Sequence, residues 1–293
     1  MSLRPALVLA AALALTAGTA GCGSSRATVA PVPVSAVAVD LVTQDGGYAA
    51  GQKAITDAED RLVARCMTAA GLRYVVGKRT PAVPETATDY GLYAKYAKKA
   101  ADPVSNKATN DYYLAHRPAS ERAAYLEVLR SPEQAAVRLA DGREITYSTR
   151  GCEPAARAAL YGDLVTQVKV FYVPQIVNSA VEKEVRQDSR YLAARAAWRE
   201  CMAAGGAPYS SDGDARRQMN AMYEKTGPTA GTHRREIAVA TLDHSCATKA
   251  RLTETEGTLV RAALAALPEP DRRELDQLAA SWQRTVAAAR STA

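Results

Sequence analysis

The chain has almost no histidine or phenylalanine: three His and one Phe stand among 293 residues. His116, His233 and His244 are scattered. The last two stand 11 positions apart, about 16 Å along a helix, too far to share a metal. No C-x-x-C is present, and His244 two residues before Cys246 is an isolated coincidence, which argues against a structural zinc site and against thiol redox chemistry. The catalytic signatures G-x-S-x-G, S-x-x-K and H-E-x-x-H are missing, and so is a glycine-rich phosphate loop. After the N-terminal stretch no apolar run is long enough to span a bilayer. The reading therefore names no cofactor, no metal and no catalytic residue.

Charge gives a further exclusion. The 37 basic and 31 acidic residues leave a net charge of +6. They are interspersed, with no basic run interleaved with aromatics, so nucleic acid is not an expected partner. The nearest such run, "KYAKKA" at 95–100, reads as a solvated helix face. Among the acids, Glu121, Glu127, Asp163, Glu182 and Glu184 read as solvated helix faces, with no pair singled out. The adjacent Asp243, His244 and Ser245 cannot line up as a triad on a helix, where consecutive residues point in different directions.

What is present begins with an export signal. Arg4 supplies a basic start, residues 6–17 an apolar core, and small residues lead to Cys22. "TAGC" at 19–22 resembles the bacterial lipobox. The resemblance implies cleavage before Cys22 and lipidation of its thiol, placing the protein on the extracytoplasmic face of the cell membrane. Plain secretion is the alternative if the box is not used. The expected layout is a signal peptide at 1–21 and a flexible tether at 22–46, rich in small residues, Val and Pro. Two helical units follow at 47–162 and 163–293, either separate or packed as one domain.

A motif occurs twice. "RCMTAAGLRY" at 65–74 and "ECMAAGGAPY" at 200–209 share C-M-x-x-x-G-x-x-Y. The other two cysteines also match: "CEPAAR" at Cys152 and "CATKAR" at Cys246 both read C-x-x-x-A-R. An even set of Cys in an exported chain argues for disulfides. A duplicated unit pairs first type with second, giving Cys66–Cys152 and Cys201–Cys246. Each motif reads as a helix end: Cys and Met face inward, and Gly71 and Gly205 or Gly206 terminate. A capping box at Thr56 and Glu59 is the expected start of the first helix, and Asp188 or Ser189 of the second.

The fold class is mostly α: a disulfide-clipped helical bundle with one small β-hairpin at about 136–148, signalled by Asp141-Gly142 between alternating runs. Expected apolar faces are Ala124, Leu126 and Leu129; Leu192, Trp198, Cys201 and Met202; Ile237, Val239, Leu242 and Cys246; and Leu275, Leu278, Trp282 and Val286. Residues 163–187 read as helix kinked or broken at Pro174.

Tyrosine is overrepresented, with 14 Tyr beside the one Phe. Tyr90, Tyr93 and Tyr96 recur every third residue, and Tyr112 and Tyr113 follow. Two readings stay open: a platform for glycan rings or a partner protein, or Tyr packing where Phe would.

"ITDAEDRLVARCM", the hairpin leading into "RGCEPAARAALYGD", "WRECMAAGGAPY" and "ATLDHSC" cover most of 48–256. Together they resemble a group of actinobacterial predicted lipoproteins and secreted proteins of unknown function. The resemblance implies an envelope location and a disulfide-clipped helical structure, and carries no activity. The functional expectation is a non-enzymatic, lipid-anchored binding or structural module whose partner is a wall polymer or envelope protein. The alternative is a cell-wall glycan or peptide hydrolase with paired carboxylates in a groove between the units.

Overall fold

The computed structural model describes residues 33–77, 86–101 and 109–292. The signal segment and Cys22 lie outside them. Among the described residues are twelve helices and one hairpin. The described residues belong to one compact unit.

The last helix, α12 (Glu269–Ser291), organises the largest core. Pro268 precedes it, Pro270 sits in its first turn, and Glu269 and Asp271 face the positive end of the helix dipole. Its stripe of Leu275, Leu278, Trp282 and Val286 is buried, as the helical period predicts. Against it lie α1 (Ala36–Thr43), α2 (Tyr48–Ala69), α6 (Cys152–Tyr161) and α7 (Leu164–Gln187), with α11 (Leu252–Ala266) completing the core. At Gly51 of α2, an added Cβ would stand 2.4 Å from the Trp282 ring, so the two helices meet through a missing side chain.

Residues 36–43, expected to belong to the tether, are helix α1. Ala38, Leu41 and Val42 are at most 3 % exposed in the main core. Ser35 caps the helix through Ala38 N–H, and its own N–H donates to Asp276 of α12 at 2.8 Å. Burial against α12 makes a helix of a short β-branched stretch with little propensity of its own. The main core also joins Ile55, Ala58 and Leu160 to α7, α11 and α12, on both sides of the 162/163 boundary.

Helix α2 starts at Tyr48, so the capping box at Thr56 does not form. Thr56 is inside the helix with its hydroxyl on the Gln52 carbonyl, and Glu59 accepts from Arg157 of α6 at 2.8 Å. Helix α7 runs unbroken through Pro174, which is buried in its interior. A proline there forgoes one backbone bond and costs ~3 kcal/mol, offset here by burial of Val170, Val181 and Val185.

Both disulfides form as the motif order predicts. Cys66 of α2 joins Cys152 of α6, and Cys201 of α8 (Ser189–Ala204) joins Cys246 of α10 (Ala230–Lys249), each with Cα atoms 5.6 Å apart. The enclosed separations of 86 and 45 residues correspond to about 4–5 kcal/mol each in the loop-entropy account. The two motif copies end in the same cap. Gly71 and Gly206 have φ of +75° and +79°. Leu72 N–H returns to the Met67 carbonyl and Ala207 N–H to the Met202 carbonyl, both at 2.9 Å, a Schellman arrangement. Met67 and Met202 are fully buried.

A small core joins the end of α2 to α5 (Ala119–Leu129) and α6. In α5 the buried pair is Tyr125 and Leu129, while Ala124 and Leu126 point outward. After it, β1 (Gln134–Arg138) pairs antiparallel with β2 (Glu144–Ser148), placing Ala135 opposite Tyr147 and Val137 opposite Ile145. The turn has Gly142 at φ +85°.

A further core joins α3 (Leu92–Ala101), α8, α9 (Asp212–Thr226) and α10. Here too the faces turn relative to the expectation. Leu192 is 49 % and Ile237 38 % exposed. The buried positions are Ala194, Trp198 and Met202 in α8, and Thr232, Glu236, Val239, Ala240, Asp243 and Cys246 in α10. Two acids inside a core stripe shift α10 by one position from the all-apolar choice.

Candidate functional site

Glu236 and Asp243 lie seven residues apart, so they occupy one face of α10 two turns from each other. Glu236 is fully buried. It accepts the Leu92 N–H at 2.7 Å, the Tyr93 N–H at 2.9 Å and the Tyr223 hydroxyl. It thus caps the first turn of α3 from a distant helix, its charge aligned with the α3 dipole. Asp89 completes the entry, accepting the Gly91 N–H at 2.6 Å and facing His233 at 3.4 Å. Burial raises the Asp89 carboxyl, but the Gly91 N–H and the facing His233 outweigh it and hold the group below its ordinary value. His233 in turn stacks on Tyr93, ring centroids 4.1 Å apart.

Asp243 takes the next position. Its two carboxylate oxygens accept the Tyr90 hydroxyl at 2.7 Å and Trp198 Nε1 at 2.8 Å. Burial first, then the Asp243 bond, pushes the Tyr90 phenol well above its usual range. Arg216 of α9 lies over the Tyr90 ring, 5.1 Å from its centroid. Desolvation lowers the Arg216 pKa, and the charge of Asp243 opposes that.

These residues form part of the wall of a cavity of about 460 Å³. Helices α7 to α11 all reach it. Arg186, Arg195, Arg216, Arg217 and His244 supply positive or ionisable groups, Asp212, Asp243 and Glu256 negative ones, and Tyr90, Tyr191, Ala240 and Leu252 apolar surface. The first turn of α9 also opens onto it, with Ser211 capping Asp214 N–H. Glu256 is among the lining residues. Loss of solvent first, then the nearby Asp212, pushes its carboxyl up.

The five tyrosines do not share a surface. Tyr90 and Tyr96 are each 8 % exposed. Tyr90 precedes α3, and Tyr96 stacks on Tyr223 at 5.2 Å with its hydroxyl near Asn220 and Glu224. Tyr93 is half-buried on His233. Tyr113 belongs to the small core beside Tyr125, with Arg117 4.5 Å above its ring. Tyr112 is 37 % exposed against His116. Tyrosine here packs where Phe would: the Tyr90 and Tyr96 hydroxyls reach a carboxylate or amide, while that of the buried Tyr125 has no hydrogen-bond partner among the described residues. The chain's single Phe, Phe171, is itself 46 % exposed.

Four of the five carboxylates named from sequence as helix faces have local partners, and Glu184 is exposed. Asp163 caps α7, Glu182 pairs with Arg186 at 3.1 Å, Glu121 faces Arg117 at 3.7 Å, and Glu127 accepts from Ser131. Glu236, Asp243, Asp212 and Glu256 carry the cavity and its support instead, and sequence reading passed over their role. One signal was available: an acid at every second turn of the α10 core face.

Among the described residues no group of three or more His, Cys, Asp or Glu is placed to hold a metal ion, and no helix is long and apolar enough to cross a membrane. Comparison with protein-family models, curated proteins and solved structures finds no match to this chain. What fold and site define is a class: a mostly helical domain with one small hairpin, fastened by two disulfides, with a mixed-charge cavity beside α9.

Proposed function

We propose that this is an extracytoplasmic binding module, held to the outer face of the cell membrane through lipidated Cys22, that presents the cavity to a polar ligand of the cell envelope. One observation carries the reading. The cavity is lined by residues of five helices, and an acid in its wall, Asp243, is fixed by two hydrogen bonds beside the lining arginines Arg186, Arg195, Arg216 and Arg217. Pre-formed concave sites with a few oriented polar groups are the usual form of ligand sites. The two disulfides accord with an oxidising compartment.

Co-sedimentation tests the reading. Full-length protein is expected to be retained by purified cell-wall polymer, and to be released when Arg195 and Arg217 are both changed to Ala. Retention unaffected by the double substitution removes the cavity from the reading. Incorporation of labelled fatty acid, lost in Cys22→Ala, tests the anchor.

A second reading, hydrolysis of wall glycan or peptide, is favoured by one observation: Glu256, its proton affinity raised, stands near Asp212 on the same cavity. Release of shorter wall fragments, abolished by Glu256→Gln, supports it. Intact polymer after prolonged incubation sinks it.

A further inference from the structure

We infer that the cavity beside α9 receives a small zwitterion of the α-amino-acid class, free or as a short peptide with both termini unblocked. This rests on the reading of the cavity as a binding site and names its ligand class. The observation is a pair of opposite charges that the fold keeps apart. Arg195 of α8 is half-buried and donates to the Ser210 carbonyl at 3.3 Å. Among the described residues no carboxylate lies within 4.0 Å of its guanidinium. Glu256 of α11 is in the complementary state: among the described residues no cation lies within 4.0 Å of its carboxylate. Arg186 lies within electrostatic reach of Glu256 but is engaged by Glu182 at 3.1 Å.

An arginine and a glutamate that can meet usually form an ion pair, which here would fill the cavity with their own side chains. They line one cavity and do not meet. Asp212, at the first turn of α9, adds a second negative charge on the Glu256 side. Loss of solvent and then the nearby Asp212 raise the Glu256 carboxyl, and a cation arriving there offsets both. An inorganic anion would satisfy Arg195 and then face two carboxylates of its own sign. A polyamine would do the reverse. A molecule with a carboxylate at one end and an ammonium at the other satisfies both, the first through the planar fork of the guanidinium. A cavity of about 460 Å³ suits a residue to a short peptide, within the ~300–1,000 Å³ of small-ligand sites. Tyr191 lines the same cavity and feels the charges of Glu256, Arg195 and Asp212.

Calorimetric titration of the full chain with alanine, dialanine and trialanine tests this. At least one is expected to bind. N-acetylation and C-amidation of that ligand are each expected to weaken binding by about tenfold or more. Glu256→Gln should match the loss from acetylation, and Arg195→Met the loss from amidation. The acetylated ligand should then be indifferent to Glu256→Gln. Both side chains are at the cavity wall and not in a core, and thermal melts confirm that the variants fold. Absence of binding by all three up to about 10 mM, or equal binding of the acetylated form, overturns the proposal. If wall polymer still co-sediments through Arg195 and Arg217, the binding-module reading survives that result. If it does not, both fall.

Discussion

Tyr90 and Asp243 stand 153 residues apart in sequence, and the phenol donates to the carboxylate at 2.7 Å inside the protein. That bond joins the segment before α3 to the middle of α10 and sets one wall of the cavity. Tyr90→Phe keeps the ring and leaves Asp243 with Trp198 alone, so a loss of about 1–2 kcal/mol is expected from denaturant unfolding. Asp243→Ala orphans the Tyr90 hydroxyl and the Trp198 N–H together, and about 3 kcal/mol or more is expected. Equal stability of Tyr90→Phe and wild type would show that the bond contributes nothing net.

Glu236 holds the entry of α3 through two backbone N–H groups and Tyr223. Glu236→Ala leaves buried donors unpaired and is expected to cost roughly 3–5 kcal/mol. Amide exchange at Leu92 and Tyr93 reads the local effect. It should accelerate far more in this variant than exchange in α12, and uniform acceleration would contradict a capping role.

The disulfides are open to direct mapping. Non-reduced peptide digests should yield Cys66 linked to Cys152 and Cys201 linked to Cys246. Replacing Cys66 and Cys152 by Ala together is expected to lower stability by about 4 kcal/mol, from release of the closed loop. A Cys66–Cys201 peptide would overturn both the structure and the duplication that predicts it.

Gly51 and Gly71 separate two reasons for glycine. Gly51→Ala drives a methyl into Trp282 and should cost about 1–3 kcal/mol through overpacking. Gly71→Ala meets open space but imposes φ +75° on an L-residue, for about 1 kcal/mol. If the first substitution proves the milder, the contact between α2 and α12 is looser than described.

Acid should loosen the helix entries before the cores. Asp163, Asp188 and Asp214 all sit below the ordinary carboxylate value of 3.8. The Thr166 N–H lowers the first, the Arg190 side chain takes the second to about 2, and the Ser210 N–H lowers the third. A depressed folded-state pKa contributes stability that is complete above the unfolded value. That stability drains as pH falls through the folded one. Melting temperature is therefore expected to drop between about pH 4 and pH 2. Asp163→Asn preserves the cap on Thr166 and removes that residue's share of the slope. A slope unchanged by this substitution would assign the acid sensitivity elsewhere.

Sequence alone determined the helical class, the hairpin, the disulfide pairing and the matching helix ends at Gly71 and Gly206. These depend on local patterns: the 3.6-residue period, glycine's access to positive φ, and a repeated Cys context. Tertiary structure decided the rest. Packing on α12 made a helix of residues 36–43, because Ala38, Leu41 and Val42 gain more from burial than their short run loses in ordering. It also turned α10 so that Glu236 and Asp243 face inward, a choice no apolar period foretells. Their donors, Leu92, Tyr93, Tyr90 and Trp198, come from segments distant in the chain. A buried acid is favourable only when such partners meet it, and only the folded chain brings them together. The separation of Arg195 from Glu256 is of the same kind, since each helix reads as ordinary surface until the five close around one cavity.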